Sequence, residues 1–165
     1  MKTIYLIRHA KSSRSCPDLD DFERPLNDRG RRDVASLGRR LVELQVQPDV
    51  VVSSPATRAA ATARSIAEAI GYPADGIRYR EAVYGGGIDG LMRVTAELEE
   101  TVNTAILVGH NPTLTEFAAY LGGSGVGELR TCGLFGAELN IPSWDKLAPG
   151  CGETKYFESP KKAKS

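Results

Sequence analysis

Short apolar runs alternate along the chain with amphipathic stretches. Five runs of aliphatic and β-branched residues, bounded by polar or turn-forming residues, predict buried strands at residues 3–7, 50–52, 77–80, 105–108 and 135–141. Apolar residues at helical spacing predict helices at residues 28–44, 55–70, 88–102 and 112–121. Because strands and helices alternate, we expect an α/β fold, a three-layer α/β/α sandwich with helices on both faces of a mostly parallel central sheet.

Three of the predicted helices carry start signals. Asn27 precedes the first of them and is expected to cap it with its side chain. Ser54-Pro55 and Asn111-Pro112 each pair a capping residue with a proline, the order typical of an N-cap followed by the first helical position. The junctions at residues 50–58 and 105–113 therefore share one pattern, in which an apolar strand leads through a cap and a proline into a helix.

Length and composition indicate one ordinary globular domain. The chain has 165 residues, of which 41% are hydrophobic and 25% charged. We expect a single domain over residues 1–158 and a basic, flexible tail at residues 159–165. Lysine and arginine number 21, as do aspartate and glutamate, so no global charge attracts nucleic acid or an anionic membrane. The glycine-rich run at residues 122–127 lacks dinucleotide-binding spacing, and no cofactor is expected.

The cysteines and the absence of long apolar runs indicate a cytoplasmic location. Cys16, Cys132 and Cys151 are scattered and form no CxxC pair, which favours free thiols in a reducing compartment. No run approaches the roughly 18 apolar residues of a membrane span. Arg8-His9 interrupts the N-terminal apolar run, so it does not resemble a signal peptide. We expect a monomer or weak dimer.

Both histidines of the chain lie directly after predicted strands. Arg8 and His9 follow the first strand, and His110 follows the strand at residues 105–108. Ligands bind at the carboxyl ends of parallel strands, so these side chains should meet at one edge of the sheet. Arg58, in the first turn of the helix at residues 55–70, should lie there too. Each residue alone has an ordinary structural explanation, but together they predict a positive pocket for a phosphate.

The motifs that contain these residues resemble the histidine phosphatase superfamily, whose fold is phosphoglycerate-mutase-like. The matching segments are RHAKS at 8–12, SSPATRAAATA at 53–63 and GHNP at 109–112, and the LNDRG at 26–30 is similar to the family's helix-opening pattern. The resemblance covers the chain to about residue 121. RHA in place of the usual RHG, the KSS after it and the short chain are most similar to the SixA-type branch, the phosphohistidine phosphatases.

The resemblance implies a role for each site residue. His9 would be the nucleophile that carries a phosphohistidine intermediate, with its other ring nitrogen donating to a backbone carbonyl. Arg8, Arg58 and His110 would bind the phosphoryl oxygens. Glu81, in a segment similar to the family's E-x-x-x-G, is the candidate general acid, and the alternative is an ordinary exposed glutamate. Weaker candidates for substrate binding are Ser12, Tyr84 and Asn111.

The predicted activity is metal-independent dephosphorylation of phosphohistidine on a protein, such as a histidine phosphotransfer domain of signal transduction. The mutase-type asparagine is absent, since residues 13–15 read SRS, and the chain lacks the long insertion that covers small substrates. One alternative is a small-molecule phosphomonoesterase or mutase, and another is a phosphate-binding regulatory module without turnover. A metal-dependent phosphoesterase is disfavoured, because its ligands would need more histidines than this chain has.

Overall fold

A central mixed sheet organises the computed structural model, which describes residues 1–15, 17–123 and 125–160. Within these residues the strands are β1 (Lys2–Arg8), β2 (Val50–Ser53), β3 (Arg78–Tyr79), β4 (Thr104–Gly109), β5 (Leu134–Leu139) and β6 (Gly152–Glu158). They form one sheet of order β3-β2-β4-β1-β5-β6. The pairings from β3 to β1 are parallel, and β5 and β6 are antiparallel to their neighbours.

Helices cover both faces of the sheet. They are α1 (Asp28–Glu43), α2 (Thr57–Ile70), α3 (Glu81–Gly85), α4 (Gly87–Ala96) and α5 (Thr113–Gly122). Alternate side chains of β1 enter different cores: Ile4 and Leu6 pack with residues of α4 and α5, whereas Ile7 packs with residues of α1 and α2. Because both faces of the sheet are buried, the sequences of the central strands are continuous apolar runs. The predicted three-layer α/β architecture is confirmed.

Three elements differ from the sequence prediction. The strand β6 was not predicted, because it is an edge strand whose side chains are mostly exposed and polar. The helix predicted at residues 88–102 ends at Ala96, although Leu98 and Val102 are buried in the loop beyond it and so continue the apolar spacing. The short helix α3 was also missed, since five residues are too few to show a helical period.

The helix starts show which capping predictions hold. Asn27 caps α1, because its side-chain oxygen accepts from the Gly30 N–H at 2.8 Å. Ser54 is not the N-cap of α2, which begins at Thr57 with Ala56 in the N-cap position; the Ser54 hydroxyl accepts from the Ala56 N–H at 3.1 Å and also contacts His110. The helix α5 begins at Thr113, with Pro112 in the N-cap position rather than inside the helix. The Asn111 side chain still accepts from the Thr115 N–H at 3.2 Å, so it satisfies a donor of the first turn.

The end of the chain and the cysteines are described only in part. The strand β6 ends at Glu158, and residues 161–165 of the predicted basic tail lie outside the described residues, as does Cys16. Cys132 is buried and Cys151 half-buried, and both are free thiols. Among the described helices, none has the length and apolar character needed to cross a membrane. The flexible tail, the cytoplasmic location and the oligomeric state remain predictions.

Candidate active site

The carboxyl ends of β1, β2 and β4 converge on one cavity. Arg8 ends β1 and pairs in register with Gly109, so His9 and His110 follow neighbouring positions of adjacent parallel strands. The ring centroids of the two histidines are 5.1 Å apart. The cavity has a volume of about 630 Å³. Its lining is Arg8, His9, Lys11, Ser12, Arg14, Asp21, Arg24, Arg58, Tyr84, His110, Asn111 and Thr131.

His9 is held as a neutral imidazole with a free lone pair. Its Nδ1 lies 2.7 Å from the Ala10 carbonyl oxygen, which can only accept, so Nδ1 carries the proton and Nε2 the lone pair. The Arg58 Nε–H donates weakly to that Nε2 at 3.4 Å. Burial lowers the pKa of His9 to about 3. The hydrogen bond to Ala10 acts to raise this pKa, whereas the nearby His110 and Arg58 lower it further. At neutral pH the ring is therefore a nucleophile.

His110 is neutral for similar reasons. Its Nε2 lies 2.8 Å from the Ser54 hydroxyl, and its Nδ1 lies 3.4 Å from Nη2 of Arg58, which can only donate. Nδ1 therefore accepts and Nε2 donates to Ser54. Burial, followed by the charge of Arg58, lowers the pKa of His110 to about 4. The Ser54 hydroxyl that the sequence assigned to a helix cap thus orients this ring.

Arg58 presents different edges of its guanidinium to two groups of residues. The side chain is only 6% exposed at the start of α2. Its Nε/Nη2 edge faces His9 and His110 at 3.4 Å, distances long enough that an oxyanion could take over both donors. Its Nη1/Nη2 end donates to Asp21, to the backbone oxygen at 2.6 Å and to Oδ2 at 3.0 Å. Arg58 is therefore held from outside while its inner edge remains directed at the histidines.

Arg8 carries a buried donor for which the described residues supply no acceptor. Its Nη1 donates to the Leu129 carbonyl oxygen at 3.3 Å, whereas its Nε is buried and has no hydrogen-bond partner among the described residues. Burial lowers the pKa of Arg8, and the carboxylate of Glu128 works in the opposite direction. A buried donor left unsatisfied costs about 1–3 kcal/mol. The Arg8 side chain also lines the cavity, so its guanidinium is in position to bind an anionic ligand.

Asp21 is a site residue that the sequence analysis missed. It opens a short 3₁₀ helix, Asp21–Glu23, in the polar segment between β1 and α1. Its Oδ2 accepts from the Tyr84 hydroxyl at 2.9 Å as well as from Arg58, and its Oδ1 accepts from Arg24 at 3.0 Å. Desolvation works to raise the pKa of Asp21, but these hydrogen bonds outweigh it and lower the pKa to about 2. Its only sequence signal was a local surplus of carboxylates.

Of the remaining predicted site residues, three line the cavity and one does not. Ser12, Tyr84 and Asn111 line the cavity, and the Ser12 hydroxyl accepts from Arg24 at 2.8 Å. Glu81 is exposed at the first position of α3 and is not among the lining residues, so this geometry does not support it as the general acid. The carboxylate in the cavity is Asp21, which the hydrogen bonds from its neighbours keep ionised.

The charges of the cavity suit a tetrahedral oxyanion. Five cationic side chains and two neutral histidines line it against the single carboxylate of Asp21. Among the described residues, no group of three or more histidine, cysteine or acidic side chains is arranged to hold a metal ion. A neutral imidazole beside fixed guanidiniums can attack phosphorus and stabilise the charge that develops on the phosphoryl oxygens.

Comparisons with known proteins identify relatives of the whole chain. Residues 4–86 match the family model described as "Histidine phosphatase superfamily (branch 1)". An uncharacterized protein of Mycobacterium leprae is 34% identical over 168 residues, covering 94% of this chain and 100% of its own length. An uncharacterized chloroplastic protein of Arabidopsis thaliana is 28% identical over 153 residues, covering 88% of this chain and 70% of its own length.

Solved structures share the fold. A protein of Nakamurella multipartitia assigned as the phosphohistidine phosphatase SixA superposes with a TM-score of 0.81 at 26% identity, covering 96% of each chain. The protein histidine phosphatase SixA in complex with tungstate has the same TM-score of 0.81 at 19% identity, covering 96% of this chain and 97% of its own. The second likeness shows the fold alone.

Proposed function

Since the chain belongs to branch 1 of the histidine phosphatase superfamily, we propose that it is a phosphatase that transfers the phosphoryl group of its substrate to His9 and then to water. The observation that carries the proposal is the His9 ring itself. Its Nδ1–H is fixed on the Ala10 carbonyl oxygen, which leaves the Nε2 lone pair in the cavity. The protein of Nakamurella multipartitia, which is 26% identical and has the same fold, is assigned as a phosphohistidine phosphatase.

The first step forms a phosphoenzyme. The Nε2 lone pair attacks phosphorus, the new N–P bond forms, and the bond to the leaving group breaks with its electron pair on that group. The guanidinium of Arg8 and the inner edge of Arg58 donate to the phosphoryl oxygens. The dianion favours the protonated form of His110, which takes up a proton from the solvent and donates from Nδ1 to a phosphoryl oxygen while Nε2 stays on Ser54.

The second step releases phosphate. Water attacks phosphorus, the N–P bond breaks, and its electron pair returns to Nε2 of His9. Because the Nδ1–H stays on Ala10 throughout, His9 leaves as a neutral imidazole and needs no proton from an acid. The proton lost by the water is taken up by the phosphate or the solvent.

Phosphohistidine on a protein is the substrate that this chemistry favours. An alkoxide leaving group needs a protonated acid. His110, once protonated, is occupied by a phosphoryl oxygen, and the carboxylate that lines the cavity, Asp21, has a pKa of about 2. A phosphorylated imidazole that is protonated at its other nitrogen leaves neutral, and it needs no acid. Lys11 and Arg14 line the cavity and are exposed, so the cavity opens to the protein surface, as a substrate carried on a macromolecule requires. We propose that no metal ion takes part.

A substrate panel tests this function. Phosphate release is measured from a phosphohistidine peptide, a phosphoserine peptide, 3-phosphoglycerate and p-nitrophenyl phosphate, each with and without EDTA. We expect the phosphohistidine peptide to have the highest kcat/KM, by at least about tenfold, and EDTA to have no effect. An alkyl ester hydrolysed faster than the phosphohistidine peptide would assign the site to a small-molecule phosphomonoesterase. Loss of activity in EDTA would contradict the metal-independent mechanism.

A further inference from the structure

Three exposed cations at the mouth of the active site have no hydrogen-bond or ion-pair partner in the part of the chain that the structure describes. We call Lys11, Arg14 and Arg130 the cationic rim. Their side chains are exposed, and they make no hydrogen bond or ion pair with another of the described residues. Lys11 and Arg14 line the cavity that contains His9, and Arg130 lines an adjoining cavity. The rim therefore extends beyond the place where a phosphoryl group would bind.

The adjoining cavity continues the active-site surface past Arg8. It has a volume of about 550 Å³ and is lined by Arg8, Glu128, Arg130, Thr131 and Phe157. Arg8 and Thr131 line both cavities, so the two share a wall. The Phe157 ring is 42% exposed and offers apolar contact beside the charges. Together the two cavities form a surface that extends beyond the residues that would contact a phosphorylated side chain.

The other charges at the site already have partners. Asp21 pairs with Arg24 and Arg58, and the inner edge of Arg58 faces the histidines. The carboxylate of Glu128, in the second cavity, interacts electrostatically with Arg8. In a chain whose net charge is zero, the cationic rim is thus a local concentration of positive charge at the exposed edge of the site.

We propose that the cationic rim binds acidic residues that flank the phosphorylated histidine in the polypeptide of a partner protein. The inference rests on the proposed function. With the phosphorylated side chain at the junction marked by Arg8, the partner chain would extend on one side toward Lys11 and Arg14 and on the other toward Arg130 and Phe157. Charge complementarity of this kind sets specificity and association rate more than it sets final affinity.

Short peptides with one chemically phosphorylated histidine test the proposal. Their flanks are aspartate and glutamate, serine and glycine, or lysine, and kcat/KM for phosphate release is compared within the set. We expect the acidic flank to exceed the neutral flank by about 3- to 10-fold at low salt, and the lysine flank to fall below it. Because exposed charges are screened, the preference should diminish in about 0.5 M salt.

Charge reversal locates the preference on the protein. In Lys11→Glu/Arg14→Glu the ratio of acidic to neutral peptide should fall to 1 or below, and Arg130→Glu should lower it by a smaller factor. Arg64→Glu is the matched control: Arg64 is exposed on α2 and lines neither cavity, so the ratio should stay at the wild-type value. Circular dichroism and thermal unfolding verify that each variant is folded.

The outcomes separate this inference from the proposed function. Equal rates for all three peptides, or a preference that survives charge reversal, would overturn the role of the rim and leave the phosphatase activity intact. Phosphate release from none of the phosphohistidine peptides would instead overturn the proposed function. A preference for acidic flanks that Arg64→Glu abolishes as well would indicate a general charge effect, which contradicts a localised site.

Discussion

Arg58 illustrates how one buried side chain can be directed at a reacting group. Its inner edge reaches both histidines at 3.4 Å, and its outer end is fixed by Asp21. The guanidinium fork is planar, so a clamp at one end sets the direction of the other. Asp21 also accepts from Tyr84, which lies edge-on to His110 with ring centroids 5.4 Å apart. Asp21 therefore positions the residues that would hold the phosphoryl group.

Replacing Asp21 should reduce activity through Arg58. In Asp21→Ala only the backbone oxygen still holds the outer end of the guanidinium, so we expect kcat/KM to fall by about 10- to 100-fold. Asp21→Asn retains an acceptor oxygen and should recover part of the loss. Asp20→Ala changes the neighbouring carboxylate, which makes no hydrogen bond to Arg58; it serves as the control and should be near wild type. An Asp21→Ala enzyme within about twofold of wild type would refute the positioning role.

The helix α1 is fixed to the catalytic segment by a glycine. Gly30 lies in its first turn, and a Cβ there would be 2.1 Å from the Lys11 carbonyl oxygen. The same oxygen accepts from the Asn27 N–H at 3.0 Å, and the Asn27 side chain caps the helix at Gly30. The start of α1 thus packs directly on the backbone that follows His9.

A methyl group at Gly30 should separate these two elements. Alanine is intrinsically better in helices by about 1 kcal/mol, yet the clash should make Gly30→Ala less stable than wild type by about 1–3 kcal/mol. Gly85→Ala is the control, because a Cβ at Gly85 meets no atom within 4 Å. Urea denaturation measures both variants. Wild-type stability in Gly30→Ala would show that α1 and the Lys11 segment are not held together as described.

Local chemistry explains which elements the sequence predicts. Asn27 caps α1 as predicted, because a cap depends only on the residues of the next turn. Ser54 has the same local signal, and its hydroxyl does accept from the Ala56 N–H, but it also contacts His110, a partner 56 residues away that no local pattern reveals. Asp21 was missed for a related reason: it lies in an irregular segment without periodicity, and its importance appears only when Arg58 and Tyr84 are brought to it.

The topology of the whole molecule makes the core of the site predictable. His9 and His110 are about a hundred residues apart in the chain, yet β1 and β4 are adjacent and parallel, so both rings leave the same edge of the sheet. The rule that ligands bind at carboxyl ends of parallel strands is sufficient to bring Arg8, His9 and His110 together. The rule does not predict where the connecting segments lie, and the cavity residues Asp21, Lys11 and Arg14 belong to such a segment.

Burying two neutral histidines makes the stability of the fold depend on pH. Both side chains ionise near 6.5 when unfolded, but their pKa values in the fold are about 3 for His9 and about 4 for His110. Below pH 6.5 the unfolded chain therefore binds protons that the folded chain does not. The free energy of unfolding should be highest above this value and fall as pH decreases toward 4.

Urea denaturation between pH 7 and pH 5 measures this effect. We expect a loss of about 1–2 kcal/mol per histidine over that interval. The ionisation of Asp21, with its pKa near 2, changes the free energy of unfolding only at lower pH, so it does not affect the comparison between pH 7 and pH 5. His110→Gln removes one of the titrating groups, and its slope should be about half that of the wild type. A free energy of unfolding that is constant from pH 7 to pH 5 would contradict the neutral buried pair.

The central claim is that His9 carries the phosphoryl group, and rapid-quench trapping with a labelled phosphohistidine peptide tests it most directly. We predict an acid-labile, alkali-stable label that mass spectrometry locates on His9 and that His9→Ala abolishes together with phosphate release. His110→Gln should still be labelled on His9, but about 10²–10³-fold more slowly. A label on another residue, or wild-type phosphate release by His9→Ala, would contradict the account.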